Sequence, residues 1–113
     1  MNILFLCTAN IQRSKTAEDH FSVKYPAHNI KSAGLSEKYC KHYGSTLCTL
    51  ELLEWADKVF VMEPMHVERI SHYAGESYLE KVEILNIDDI YQYMQSELIE
   101  LLENNESLIF IKD

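Results

Sequence analysis

The segment from residue 2 to residue 14 constrains the fold more than any other part of the chain. An uninterrupted apolar run at residues 3–6 ends at Cys7, and Arg13 and a helical pattern follow. A short continuous apolar run is typical of a central parallel strand that is covered on both faces. The order of strand, loop and helix therefore predicts a loop whose backbone N–H groups can bind an anion at the positive end of a helix dipole.

The side chains of this loop suit a phosphate site with a nucleophilic thiol. Helix dipoles and Arg13 favour the thiolate form of Cys7. The planar fork of Arg13 can hold two phosphate oxygens at once, Ser14 can donate a hydrogen bond to the thiolate, and Asn10 tolerates left-handed backbone geometry. The alternative is an inert buried cysteine and an unrelated surface arginine, but the flanking strand and helix favour the phosphate site.

The rest of the chain alternates strands with helices. Strands are predicted at residues 29–33, 58–62 and 82–85, and helices at residues 14–25, 50–56, 64–74 and 96–103. We predict a loop or an irregular helical turn at residues 35–45. At residues 108–111 we predict either an edge strand or an extension of the last helix. The alternation predicts one α/β domain over residues 1–113, with a parallel sheet of about four strands and helices on both faces. Ligands bind beyond the carboxyl ends of such strands, where Cys7 and Asp89 both fall.

Apolar spacing predicts which side chains face the core. The inward residues are predicted to be Val67, Ile70 and Tyr73 in one helix, Leu98, Leu101 and Leu102 in the last helix, and Trp55. The five histidines, His66 and His72 among them, lack metal-ligand spacing, so we expect surface or partly packed side chains and no metal.

Charge and composition exclude several classes of function. The net charge of −8 argues against nonspecific binding to nucleic acid or to an anionic membrane. No apolar stretch is long enough to span a bilayer, and the first apolar run has neither a basic residue before it nor a cleavage site after it. Three cysteines without a CxxC pair predict free thiols in the cytoplasm.

Four stretches of the chain resemble one family in order. Residues 7–14, C-T-A-N-I-Q-R-S, resemble the C-x-G-N-x-C-R-S loop of the low-molecular-weight protein tyrosine phosphatases, which have a flavodoxin-like fold. Two further stretches are similar to motifs of the same family. They are S-A-G at residues 32–34, which resembles the S-A-G after the second strand of the family, and A-D through M-E at residues 56–63, which resembles its A-D-x-x-x-x-M-D/E strand. D-I-Y at residues 89–91 resembles the D-P-Y loop that carries the acid. The strings E-W-A-D and D-x-Y-x-Y-M further resemble a compact bacterial branch of predicted tyrosine phosphatases.

The resemblance implies a two-step hydrolysis of phosphate monoesters without a cofactor. Cys7 would be the nucleophile, Asp89 the general acid and base, and Arg13 the stabiliser of the developing charge. The substrate would be a phosphotyrosine-containing protein or a small aryl phosphate. The residues expected to bind phosphate are Thr8, Ala9, Asn10, Ile11, Gln12 and Ser14.

Two assignments near the predicted acid have alternatives. Asp88 is adjacent to Asp89, and the D-x-Y spacing favours Asp89. Tyr91 and Tyr93 are candidate pocket-wall residues, and packing on the sheet edge is an equal alternative.

The chain departs from the family pattern at several positions. Ala9 replaces a glycine, so its backbone is either ordinary or strained by about 1 kcal/mol. Gln12 replaces the second loop cysteine, and Ile90 replaces the proline of the acid loop. The chain is also shorter between Gly34 and Trp55, where the family builds part of its pocket wall.

Three other functions share features of the loop. Thiol-dependent arsenate reductases have a similar loop and relay oxidation to two further cysteines, for which Cys40 and Cys48 are candidates, although a structural role is favoured for both. Sugar-phosphotransferase carrier domains carry a phosphocysteine after their first strand, but their loop does not need an arginine at the position that Arg13 has here. A catalytically silent phosphotyrosine-binding module would bind phosphate without hydrolysis.

Overall fold

The computed structural model describes residues 1–112 and contains a four-stranded parallel sheet with the order β2-β1-β3-β4. The strands are β1 (Asn2–Cys7), β2 (Asn29–Gly34), β3 (Lys58–Val61) and β4 (Val82–Ile84). Strand β1 pairs with β2 on one side and β3 on the other, and its register sets Cys7 beside Gly34. The predicted parallel α/β sheet is confirmed.

Helices cover both faces of the sheet. They are α1 (Arg13–Lys24), α2 (Glu37–Tyr43), α3 (Leu50–Trp55), α4 (Pro64–Ala74) and α5 (Ser96–Glu103), with 3₁₀ turns at Leu79–Lys81 and Glu106–Lys112. Alternate residues of β1 point to opposite faces, so Phe5 packs with α1 and α5 while Leu4 packs with α3 and α4. Phe5 stacks between Phe21 and Phe60, at centroid distances of 5.9 and 5.6 Å. Within residues 1–112, none of the helices has the length and apolarity needed to cross a membrane.

Gly34 lets the end of β2 pack directly beneath the loop that follows β1. A Cβ atom at this position would lie 2.4 Å from Cys40 Sγ and 2.7 Å from the carbonyl oxygen of Thr8. Both contacts are far too short for carbon, so a larger residue would push the loop or α2 away. The glycine of the S-A-G sequence therefore supports the geometry of the loop.

Residues 37–43 form a regular helix where the sequence predicted a loop or an irregular turn. Ser36 caps its start by accepting a hydrogen bond from the N–H of Tyr39, at 3.2 Å, and Gly44 ends it in the left-handed conformation with φ of 66°. These two caps stabilise a short helix in spite of its polar composition.

The predicted C-terminal edge strand or helix extension is replaced by the 3₁₀ turn at Glu106–Lys112. Leu108 and Ile111 are three residues apart, so one face of a 3₁₀ turn buries both of them against the core.

Three inward-facing predictions are wrong. Tyr73 and Leu101 are exposed, and Trp55 is half-buried at the sheet edge, with Lys31 Nζ 4.5 Å from its ring centroid. In α4 the buried positions are Ile70 and His66, because the helix turns its 66–70 side to the sheet. Thr49 caps α3 as predicted, accepting from the N–H of Leu52.

Candidate active site

A pocket of about 300 Å³ opens at the carboxyl end of β1. Its walls come from the loop after β1, from α2 and from the loop after β4. The lining residues are Cys7, Thr8, Ala9, Ile11, Gln12, Arg13, Tyr39, Tyr43 and Asp89. The structure thus brings together the predicted nucleophile, the predicted acid and most of the predicted phosphate-binding residues. Asn10 and Ser14 lie behind the pocket and support it.

The predicted nucleophile is linked to a buried hydrogen-bond network. Cys7 Sγ lies 2.9 Å from Ser14 Oγ. Asn10 Nδ2 donates to the hydroxyl oxygens of Ser14 and Ser32, both at 2.9 Å. Because Ser14 Oγ accepts from the amide, its own hydrogen can be donated either to a Cys7 thiolate or to the carbonyl oxygen of Ala33, which lies farther away at 3.4 Å.

The backbone of the loop has the features of an anion site. Asn10 adopts the left-handed conformation with φ of 56°, while Ala9 has a negative φ, so the replacement of glycine at Ala9 introduces no strain of that kind. Among the described residues, the N–H groups of residues 9–14 donate no hydrogen bond, and the first helical bond runs from Thr16 N to Gln12 O. These unpaired donors at the start of α1 are available to bind phosphate oxygens.

Arg13 is only 1% exposed and is held from behind. Its Nη1 donates to Glu63 Oε1 at 2.5 Å and to the carbonyl oxygen of Ile87 at 2.7 Å. Its Nε lies 3.7 Å from Asp89 Oδ1. The Glu63 carboxylate balances the buried charge. Among the described residues, Nε has only the longer contact to Asp89 and Nη2 has no hydrogen bond, so that side of the fork can bind a ligand in the pocket.

His66 is a site residue that the sequence interpretation missed. Its ring is fully buried, contrary to the predicted surface or partly packed position. Nδ1 accepts from the N–H of Glu63 at 3.1 Å, so the proton is on Nε2, which donates to Thr8 Oγ1 at 3.0 Å. Burial, followed by the charge of Arg13, lowers the pKa of His66 to about 4. The ring therefore stays neutral and ties the start of the phosphate loop to α4.

A position-based signal pointed to His66 and Glu63. Both occur at the start of the helix after β3, and β3 is a neighbour of β1 in the sheet. The carboxyl ends of neighbouring parallel strands meet at one edge, so residues there are candidates for contact with the loop after β1.

The two adjacent aspartates have different positions. Both side chains are exposed, but Asp89 lines the pocket with Cys7 whereas Asp88 lies outside the pocket lining. Of the two aspartates, the pocket includes the one that the D-x-Y spacing favours.

The predicted aromatic wall residues lie elsewhere. Tyr91 packs against the core beside α5, and Tyr93 hydrogen-bonds Asp19 and lines a neighbouring groove. Tyr39 and Tyr43 supply the aromatic wall instead, because α2 forms in the stretch that was predicted to be irregular.

The other two cysteines are buried outside the pocket. Cys40 Sγ contacts the carbonyl oxygens of Ala9 at 3.7 Å and Thr46 at 3.6 Å. Burial and the neighbouring Cys40 raise the pKa of Cys48 to about 12. All three cysteines are free thiols.

Comparison with known proteins finds similarity at the level of structure. No protein-family model matches the chain, and no curated protein sequence matches it. The tyrosine phosphatase Wzb from Escherichia coli K30, solved in complex with phosphate, is 29% identical over 90% of each chain, with a TM-score of 0.71.

Two further solved structures are similar over most of the chain. The low-molecular-weight protein tyrosine phosphatase from T. tengcongensis is 25% identical, with 98% of this chain and 96% of that chain covered and a TM-score of 0.70. The YwlE arginine phosphatase from Geobacillus stearothermophilus is 25% identical, with 97% and 88% covered and a TM-score of 0.66. The comparison confirms the resemblance predicted from the sequence: the chain has the fold of the low-molecular-weight protein tyrosine phosphatases, and its solved neighbours are phosphatases of that family.

Proposed function

We propose that this chain is a cysteine-dependent phosphatase that hydrolyses phosphotyrosine in proteins and small aryl phosphates. One observation carries the proposal: Cys7, Arg13 and Asp89, which come from opposite ends of the chain, line a single pocket of about 300 Å³. The phosphatase neighbours support the reaction class. The mechanism needs a free thiolate, which suits a reducing compartment such as the cytoplasm.

In the first step the phosphoryl group occupies the loop. The N–H groups of residues 9–14 and the open side of the Arg13 fork bind its three terminal oxygens. The Cys7 thiolate attacks phosphorus, an S–P bond forms, and the P–O bond to the tyrosine breaks. Asp89 gives its proton to the departing phenolate oxygen.

In the second step water releases the phosphate. Asp89, now a carboxylate, takes a proton from the water, whose oxygen attacks phosphorus as the S–P bond breaks. Cys7 leaves as a thiolate, and the Ser14 hydroxyl at 2.9 Å stabilises the charge that returns to sulfur. The products are inorganic phosphate and the starting form of the chain, so both half-reactions balance without a cofactor.

The pocket wall favours an aryl ester. Ile11, Tyr39 and Tyr43 provide an apolar and aromatic surface on which a phenyl ring can pack. Phosphoarginine is the second candidate substrate, because two of the solved neighbours are structures of an arginine phosphatase. Its cationic guanidinium needs carboxylate partners, and among the lining residues only Asp89 carries one. Phosphoarginine is therefore the weaker candidate.

Hydrolysis of para-nitrophenyl phosphate by four proteins tests the proposal. We expect turnover by the wild type, none by Cys7→Ser, and a kcat about 10²–10⁴-fold lower for Asp89→Asn. Asp88→Asn is the matched control, with the same charge change on the adjacent residue, and should be close to wild type. Activity that survives in Cys7→Ser contradicts the mechanism, and exchanged effects of the two aspartates reassign the acid.

Trapping separates the phosphatase from a silent binding module. Rapid acid quenching of the reaction should yield a protein 80 Da heavier, as expected for a phosphoryl group, with the added mass on the peptide that contains Cys7. A module that only binds phosphate gives neither the added mass nor para-nitrophenol.

The buried positions of Cys40 and Cys48 disfavour an arsenate relay, because a thiol with a pKa of about 12 is a poor nucleophile near neutral pH. Thioredoxin-coupled arsenate turnover that is lost in Cys48→Ser would restore that alternative.

A further inference from the structure

A second depression continues from the phosphate pocket along the outer side of β2. This groove has a volume of about 570 Å³ and shares Ile11 and Tyr43 with the pocket. The groove is also lined by Lys15, Glu18, Lys31 and Tyr93, among others. A polypeptide whose phosphorylated side chain fills the pocket therefore has an adjoining channel for the residues that flank it.

The groove contains one cation without a carboxylate partner. Lys15 is paired with Glu18 and Asp19, at 3.5 and 3.1 Å, and Glu18 also accepts from Ser32 Oγ. Lys31 forms no ion pair with any of residues 1–112, and its ammonium group lies 4.5 Å from the centroid of the Trp55 ring. The contact with the ring does not neutralise the ammonium, so its charge is available to an incoming anion.

The local charge contrasts with that of the whole chain. The chain has 10 basic and 18 acidic side chains and a net charge of −8, so its average field repels acidic polypeptides. The lysine without a carboxylate partner offsets that repulsion at one position of the groove. Opposite charges at such a site contribute more to specificity than to affinity.

We propose that this groove binds the segment flanking the phosphorylated residue of a protein substrate, and that Lys31 selects an acidic side chain in that segment. The proposal rests on the phosphatase function above and names the class of protein substrate that this site prefers. The carboxylate of the substrate pairs with the Lys31 ammonium, while the residues nearer the phosphorylated side chain lie over Ile11 and Tyr43.

Paired phosphotyrosine peptides test the selection. Each pair differs by one Asp or Asn, placed in turn at each of the three positions before and after the phosphotyrosine. For the wild type we expect kcat/KM to be about threefold higher for the Asp peptide at one or two adjacent positions, which is the size of effect that one exposed ion pair produces. The preference should shrink as salt is added, since an exposed pair is screened.

Lys31→Gln should remove the preference, and Lys31→Glu should invert it. Lys58→Glu is the matched control, because it makes the same charge change on a strand lysine whose ammonium also lies over an aromatic ring, 5.2 Å from the centroid of Phe110. Lys58 is two strands away and on the opposite face of the sheet, since its register partner in β1 is Ile3 whereas that of Lys31 is Leu4. The control should keep the wild-type preference. All three variants should hydrolyse para-nitrophenyl phosphate at the wild-type rate, because that small substrate does not reach Lys31.

The two proposals fail in different ways. Turnover of para-nitrophenyl phosphate with no Asp preference, or with the same preference in Lys31→Glu as in the wild type, overturns the role of the groove and leaves the phosphatase function intact. Absence of all turnover overturns the phosphatase function instead. In that case fluorescence anisotropy of labelled phosphopeptides still decides the role of the groove, because binding must then show the same dependence on Asp and on Lys31.

Discussion

Acidification should destabilise the folded protein through the buried ring of His66. The unfolded chain takes up a proton on this histidine near pH 6.5, whereas burial and Arg13 keep the folded ring neutral down to about pH 4. Above pH 6.5 the ring is neutral in both states and contributes no pH dependence. Between these values the unfolded state binds the proton first, so stability falls as the pH falls.

The size of the effect follows from the width of that window. Each unit of pKa difference corresponds to about 1.4 kcal/mol, so the shift to about 4 removes roughly 3 kcal/mol of folding free energy by the lower end of the range. Other groups titrate in the same range, so the contribution of His66 is obtained as the difference between the unfolding free energies of the wild type and a variant. His66→Gln is a suitable variant, because glutamine retains hydrogen-bonding groups and cannot gain a charge.

Urea unfolding of the wild type and of His66→Gln at a series of pH values measures this difference. The unfolding free energy of the wild type minus that of the variant should decrease by about 1.4 kcal/mol per pH unit below pH 6.5. His72→Gln, on the exposed side of the same helix, is the control and should show no such trend. A difference that stays constant with pH, or an NMR titration of His66 with its midpoint near 6.5, refutes the reasoning.

Substitutions at three further positions test the residues that support the pocket. Arg13→Lys should lower kcat for aryl phosphates about 10²–10³-fold with unchanged circular dichroism, because an ammonium cannot hold two phosphate oxygens and the contacts to Glu63 and Ile87 together. Asn10→Ala should be less stable in urea than Asn10→Gly by about 1–2 kcal/mol, because both variants lose the hydrogen bonds to Ser14 and Ser32 but only alanine is strained by the left-handed backbone. Gly34→Ala should cost about 1–3 kcal/mol by the same assay and weaken phosphate binding measured by calorimetry, and an unchanged protein would contradict the contact with Thr8.

The parts of the fold that follow from local signals were predictable. The apolar run of β1 and the Thr49 cap each depend on residues that are close in sequence, and both occur as predicted. The proposed phosphate loop was predictable for the same reason: Cys7, Asn10 and Arg13 lie within seven consecutive residues, and the left-handed backbone expected at Asn10 is observed.

The contributions that the sequence interpretation missed depend on distant contacts. His66 meets Thr8 across 58 residues, and no periodicity within α4 distinguishes a buried histidine from an exposed one. The aromatic wall was missed because α2 is too short to show an apolar period. Its cap at Ser36 and its final Gly44 were the local signals that could have predicted it.

The peptide of Ile87 connects Arg13 with the segment of chain that carries Asp89. Its carbonyl accepts from Arg13 Nη1, while the N–H of the same residue donates to Met62 O at 2.9 Å, so this peptide segment is fixed at both sides. Asp89 lies two residues further along the chain. A ligand that shifts the Arg13 guanidinium is therefore expected to shift the segment that carries Asp89, the proposed acid. A graft of this loop into another scaffold should therefore keep the two-residue spacing between Ile87 and Asp89, and this spacing matters more than the side chains of the loop.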